Sequence, residues 1–140
     1  MNFEIRCRKI VGGDARGLSL VTKQPINFLT MVDIKSGTII NQEHELFGKS
    51  IKRTILFFPN AVGSSVGAYV LYTLKKNKAA PAAVVCTNKA DVITASACAI
   101  SNIPAVDMVG TELDLAQFIK SGLKVLVNAN NSKIQIMKRI

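Results

Sequence analysis

Gly63-Ser64-Ser65-Val66-Gly67 stands between the apolar run Ile55-Leu-Phe-Phe58 and a longer run that ends in Lys75, Lys76 and Lys78. The order predicts a buried strand that stops at Pro59, a tight turn, and a helix over 64–77. Two hydroxyls then lie at a helix N-terminus. Backbone N–H groups without helical partners point outward there, and the positive end of the helix dipole favours anions and developing negative charge. No other strand end in the chain has so many small polar residues beside it. The serine chemistry has two readings. Gly63-Ser64-Ser65-Val66-Gly67 fits the G-x-S-x-G elbow with Ser65 as nucleophile. The one histidine, His44, precedes it, whereas a hydrolase of that fold needs its histidine after the serine and the acid, which argues against a triad. Equally, Ser64 and Ser65 are ordinary helix caps. Gly67 tips the balance towards function, since glycine costs helix stability and permits a close backbone approach.

Other candidates are weaker. Gly48-Lys49-Ser50 lacks the upstream glycine of a phosphate-binding P-loop, because position 43 is Glu. Asp33 in Asp33-Ile-Lys-Ser-Gly37 is a surface turn residue or faces Ser64. Asn88, after a buried strand, is a turn residue or a hydrogen-bonder to substrate. His44, between Glu43 and Glu45, is expected to be a solvated loop residue, and Asp107 to cap or solvate the end of its strand.

The elements that must position these residues differ between the two halves. Phe3, Ile5 and Cys7 alternate with charged residues, which is a half-buried strand broken at Gly12-Gly13. Leu18–Thr22, Ile26–Leu29 and Thr38–Ile40 are expected as further strands. Beyond them the pattern changes. Ile55–Phe58 and Ala82–Thr87 are continuous apolar runs, as in strands covered on both faces. Helices are expected over 64–77, over Asp91–Ser101 with Asp91 as N-cap, and over Glu112–Lys120. Short strands follow at Pro104–Met108, Lys124–Val127 and Ile134–Met137. Alternation of strand and helix means βαβ units and a parallel layer. An all-β first half packs against it, giving one α+β domain of β/β/α type over residues 1–140.

Composition bounds the function. No segment reaches the roughly 18 apolar residues of a membrane span, and the N-terminus lacks the apolar core of a signal peptide. Cys7, Cys86 and Cys98 form no C-x-x-C pair, so neither a disulfide framework nor a zinc site is expected, and a cytoplasmic setting fits. The net charge of +9 suggests nucleic acid, but the basic residues are scattered and no RNA-reading aromatic motif is present. An acidic partner or a phosphorylated substrate fits better.

Several segments together resemble one family. They are Ile10-Val-Gly-Gly13, Pro25-Ile-Asn-Phe-Leu29, Val32-Asp33 with Gly37, Gly48-Lys-Ser50, Phe58-Pro59 with Gly63-Ser-Ser65-Val-Gly-Ala-Tyr-Val-Leu71, Ala80-Pro-Ala-Ala83 and Ile103-Pro-Ala-Val-Asp107. In this order and spacing they resemble the small subunit of the aconitase X family, over nearly the whole chain. The resemblance implies the swivelling β/β/α domain of aconitase C-termini and isopropylmalate isomerase small subunits. It implies a heterodimer with a large subunit that carries a [4Fe-4S] cluster. It further implies dehydration of a hydroxy acid, (R)-5-phosphomevalonate in archaea or cis-3-hydroxy-L-proline in bacteria. The family's proton-accepting serine falls on Ser64, with Gly63 and Ser65 shaping the turn and Asn60, Asp33 and Asn88 as candidates for the same pocket. Val62 stands where the family usually has lysine, and Thr30-Met31 where it usually has a Gly-Gly pair. The non-enzymatic alternative is a stand-alone binding domain of the same fold.

Overall fold

Residues 2–108 and 119–137 are described by a computed structural model. The chain runs β1 (Asn2–Arg6), β2 (Arg8–Val11), β3 (Asp14–Val21), α1 (Phe28–Met31), β4 (Ile55–Phe58), α2 (Gly67–Lys76), β5 (Ala83–Cys86), α3 (Val92–Ser101), β6 (Ala105–Asp107), β7 (Lys124–Asn128) and β8 (Lys133–Met137). The strand order is β1-β8-β7-β3-β4-β5-β6-β2. Only Cys7 separates β1 from β2, yet they occupy opposite ends of that order. The sheet must therefore curl, so that its antiparallel half folds over one face of its parallel half.

β3 belongs to both halves. Asp14–Leu18 pairs antiparallel with β7, and Ser19–Val21 pairs parallel with β4. β4, β5 and β6 continue the parallel layer. Every residue of β4 and β5 is buried, because both faces are covered. Ile55, Phe57, Ala83 and Val85 point to a core shared with Ile5, Val125, Val127, Ile134 and Ile136 of the antiparallel strands. Leu56, Phe58, Val84 and Cys86 point to a second core with Leu71 and Leu74 of α2 and Ala97 and Cys98 of α3. Each fully buried Leu, Ile or Phe contributes about 1.5–3 kcal/mol of transfer free energy. The result is three layers, antiparallel sheet on parallel sheet on helices, as the apolar runs imply.

The structure corrects four expectations. Ile26–Leu29 is no strand: Ile26 makes a single parallel bridge to Ala61, and Asn27 caps the short helix α1 by accepting from Thr30 N. Thr38–Ile40 makes only isolated bridges, Thr38 to Ser50 and Ile39 to Val32. His44 is buried rather than solvated. Its Nδ1 accepts from Leu46 N at 3.0 Å and its Nε2 lies 3.2 Å from Pro25 O, so the 41–47 loop closes over the segment after β3. Asp107 is fully buried, and its carboxylate accepts from Arg8 Nε at 3.0 Å and from Ala90 N at 2.8 Å. The helix expected over Glu112–Lys120 lies outside the described residues save Ile119 and Lys120, which are not helical. Among the described residues no helix is long and apolar enough to cross a membrane.

Candidate active site

The parallel strands β3 to β6 deliver their C-terminal ends to one edge of the molecule, the usual place for ligands in such sheets. The turn after β4 carries Ser64. Its approach is held on both sides. Ile26 N donates to Asn60 O at 3.3 Å, and Val62 N donates to Ile26 O at 3.0 Å. Asp91 Oδ1 accepts from Ala61 N at 2.9 Å while the same carboxylate caps α3 through Thr94 N and Thr94 Oγ1. Phe28 of α1 packs edge-on against Phe58, with ring centres 5.7 Å apart, and so fixes α1 beside the strand that feeds the turn.

Gly63 has φ +97°, a conformation that side chains rarely adopt. A Cβ there would lie 2.4 Å from Asn27 Nδ2. Ser64 and Ser65 are exposed. The helix begins three residues later than the sequence suggests, at Gly67. Ser64 instead caps the turn before it: its Oγ accepts from Val66 N at 3.2 Å and its carbonyl from Gly67 N at 2.9 Å. Among the described residues, no acceptor within the protein faces the backbone N–H groups of Gly63, Ser64 and Ser65. An anionic atom at this turn would meet those donors together with the positive end of α2. Gly67 does not need to be glycine for space, because a Cβ would rest 3.8 Å from Ile93 Cγ2 and 3.9 Å from Leu29 N.

Asn60 and Asn88 lie at the same edge as Ser64. Asn60 Nδ2 donates to Ala61 O at 3.1 Å. Asn88 is exposed in the loop after β5, which is tied to β4 by Thr87 N donating to Phe58 O at 2.9 Å. Asp33 sits elsewhere. Its turn is fastened to the C-terminal end of α2, where Asn77 Nδ2 donates to Ile34 O at 2.7 Å. Asp33 Oδ2 accepts from Ser36 Oγ at 2.6 Å, and chiefly that bond holds its carboxyl below the ordinary range. Asn27, the N-cap of α1, carries no signal in the sequence beyond its spacing to Thr30.

Burial pushes the Cys7 thiol up to about 11 and the Cys98 thiol to about 12, and Cys86 shifts the same way for the same reason. No group of three or more His, Cys, Asp or Glu side chains among the described residues could hold a metal ion.

A family model for the aconitase X swivel domain matches residues 4–136. The phosphomevalonate dehydratase small subunit of Methanosarcina mazei is 45% identical over 137 residues, covering 98% of this chain and 93% of that protein. The protein of that name from Thermococcus kodakarensis is 41% identical and covers 97% of this chain and 98% of its own length. The crystal structure of Thermococcus kodakaraensis aconitase X in its holo-form superposes with a TM-score of 0.88 at 40% identity, covering 97% of this chain and 99% of that one. The layers, the glycine-serine turn at the strand ends and these similarities agree: the chain belongs to the aconitase X family, as its swivel domain.

Proposed function

We propose that this chain is the small subunit of a cytoplasmic hydro-lyase that converts (R)-5-phosphomevalonate to trans-anhydromevalonate 5-phosphate, with Ser64 as proton acceptor. The relatives' names support the substrate. The observation that carries the base assignment is the serine turn itself, where Ser64 Oγ accepts a backbone N–H at the mouth of α2. In the reaction the C–H bond next to the carboxylate breaks and its proton passes to the Ser64 alkoxide, which becomes the hydroxyl. The electron pair forms the new double bond as hydroxide leaves the neighbouring carbon. A serine alkoxide is costly at neutral pH, and N–H donors with the helix dipole lower that cost. We place the [4Fe-4S] cluster that the family implies on the large subunit, a reading supported by the described residues offering no group of three or more metal-ligating side chains.

The surroundings of the turn support a docking role. Val62 and Val66 in the turn, Tyr69 one helical turn further, Leu29 of α1 and Val92 of α3 are all exposed, Val92 to 83%. Apolar side chains gathered about a polar site mark a surface that a partner covers. The large subunit is that partner, giving a heterodimer whose site is complete only at the interface.

The test is anaerobic dehydration of (R)-5-phosphomevalonate by this chain mixed with its large subunit. Ser64→Ala is expected to lose about 10²-fold or more in kcat while still binding the large subunit. A mutant as active as the wild type overturns the base assignment. Turnover of cis-3-hydroxy-L-proline instead overturns the substrate and keeps the scaffold. Failure of the two chains to associate favours a stand-alone binding domain.

A further inference from the structure

We infer that Asn27 is a second substrate-contacting residue of the serine turn, its side-chain amide donating a hydrogen bond to the carboxylate that gains charge as the proton leaves. The inference rests on the dehydratase reading and extends it. Three observations carry it. Asn27 Oδ1 accepts from Thr30 N at 3.3 Å, which assigns the amide's orientation and directs Nδ2 away from α1. Nδ2 then occupies the space that a Gly63 side chain would fill, 2.4 Å from that Cβ position, directly beside the residue that precedes Ser64. Among the described residues Nδ2 has no acceptor, and it is open to solvent and to a ligand.

The chemistry needs such a donor. Removing a proton next to a carboxylate drives negative charge onto the carboxylate oxygens. Fixed N–H groups aimed at that charge stabilise the transition state more than the ground state. The N–H groups of Gly63, Ser64 and Ser65 have no acceptor among the described residues, and Asn27 Nδ2, lying against Gly63, adds a neutral donor from the start of α1. An asparagine suits the position better than a charged group. It holds its own orientation through the cap and leaves the Ser64 proton unchallenged.

The experiment compares Asn27→Ser and Asn27→Asp with wild type in the assembled two-subunit enzyme. Both substitutions keep a good cap for α1, so thermal stability and affinity for the large subunit should match wild type. Asn27→Asp loses the donor, and Asn27→Ser replaces the amide with a hydroxyl that ends one bond short of the Nδ2 position, so kcat should fall roughly 10- to 100-fold in both. Asn27→Asp should fall further, because its charge repels the substrate carboxylate. Wild-type kcat in both variants overturns the proposal. So does a loss that merely follows a drop in thermal stability or subunit affinity. If wild type turns over cis-3-hydroxy-L-proline and not phosphomevalonate, the substrate reading has failed, and the same comparison on hydroxyproline's carboxylate still decides Asn27. If neither substrate is turned over, the dehydratase reading fails and takes this inference with it.

Discussion

Two glycine turns flank α2, and they use their polar groups in opposite ways. At the C-terminal end, the Asp33–Gly37 turn satisfies itself: Ser36 Oγ donates to Asp33 Oδ2, Gly37 N donates to Asp33 O at 2.8 Å, and Asp33 N donates to Thr38 O at 2.9 Å. At the N-terminal end, the turn at Gly63 is tied through its approach, at Asn60, Ala61 and Val62, and through Ser64, yet the N–H groups of Gly63, Ser64 and Ser65 have no acceptor among the described residues. Both turns contain a positive-φ glycine and exposed polar residues. Composition therefore does not separate the two turns. Hydrogen-bonding capacity that the fold leaves open does.

The glycines offer the largest test of that contrast. A Cβ on Gly37 would lie 2.6 Å from Ala79 O, a backbone atom that cannot move alone, whereas a Cβ on Gly63 meets a side-chain amide. Gly37→Ala should lose about 2–3 kcal/mol through clash and positive-φ strain, yet its assembled enzyme should keep wild-type kcat. Gly63→Ala should lose about 1–2 kcal/mol and most of its activity, because Asn27 is displaced and the serine turn shifts. Urea midpoints with steady-state rates separate the two. Equal activity loss in both would erase the distinction between the turns.

Asp91 tests how the serine turn is anchored. One carboxylate holds Ala61 N and caps α3. Asp91→Ala should cost about 1–2 kcal/mol and lower kcat as well, since the turn's approach loses its anchor. Asp91→Ser, which can cap α3 alone, should recover part of the stability and less of the activity. Full recovery of both by serine would show that the bond to Ala61 is dispensable.

Much of this contrast lies beyond sequence patterns. Ile55–Phe58 and Ala82–Thr87 announce a parallel layer because strands buried on both faces cannot alternate. Asp91 is legible as a cap because its contacts to Thr94 are three residues away. Asn27 is not, because Ile26–Leu29 is too short for any period to show, and its helix is decided by Phe28 packing on Phe58. His44 misleads for a related reason: its charged neighbours Glu43 and Glu45 remain exposed while the ring turns inward to Pro25. Nothing local to Asp33 or Ser64 reveals that ten residues of helix, about 15 Å at 1.5 Å per residue, separate the points where their turns are anchored.

Gly67 sharpens the comparison on the stabilising side. The sequence suggests that it is glycine to admit a close approach, but the space for a methyl group is ordinary. Gly67→Ala should therefore gain about 0.5–1 kcal/mol from helix propensity without loss of kcat. A loss of stability would mean that α2 is packed more tightly at its start than these contacts allow.

The smallest effect is a pH dependence present in one turn and absent from the other. The bond from Ser36 lowers the Asp33 carboxyl below its ordinary value of 3.8 in the folded chain. An unfolded chain binds that proton first as the pH drops. The turn's stabilisation is therefore complete above about pH 4–5 and fades as the pH falls through the folded value. Asp33 is partly exposed, so the change is small and screened by salt. Asp33→Asn should flatten the acid limb of the urea midpoint slightly and leave kcat untouched. Residues 60–66 contain no ionisable side chain, so Ser64→Ala should leave that limb as in wild type while abolishing turnover. If Asp33→Asn instead reduced kcat as Ser64→Ala does, the closed turn would be part of the site, and open hydrogen-bonding capacity would no longer separate the two.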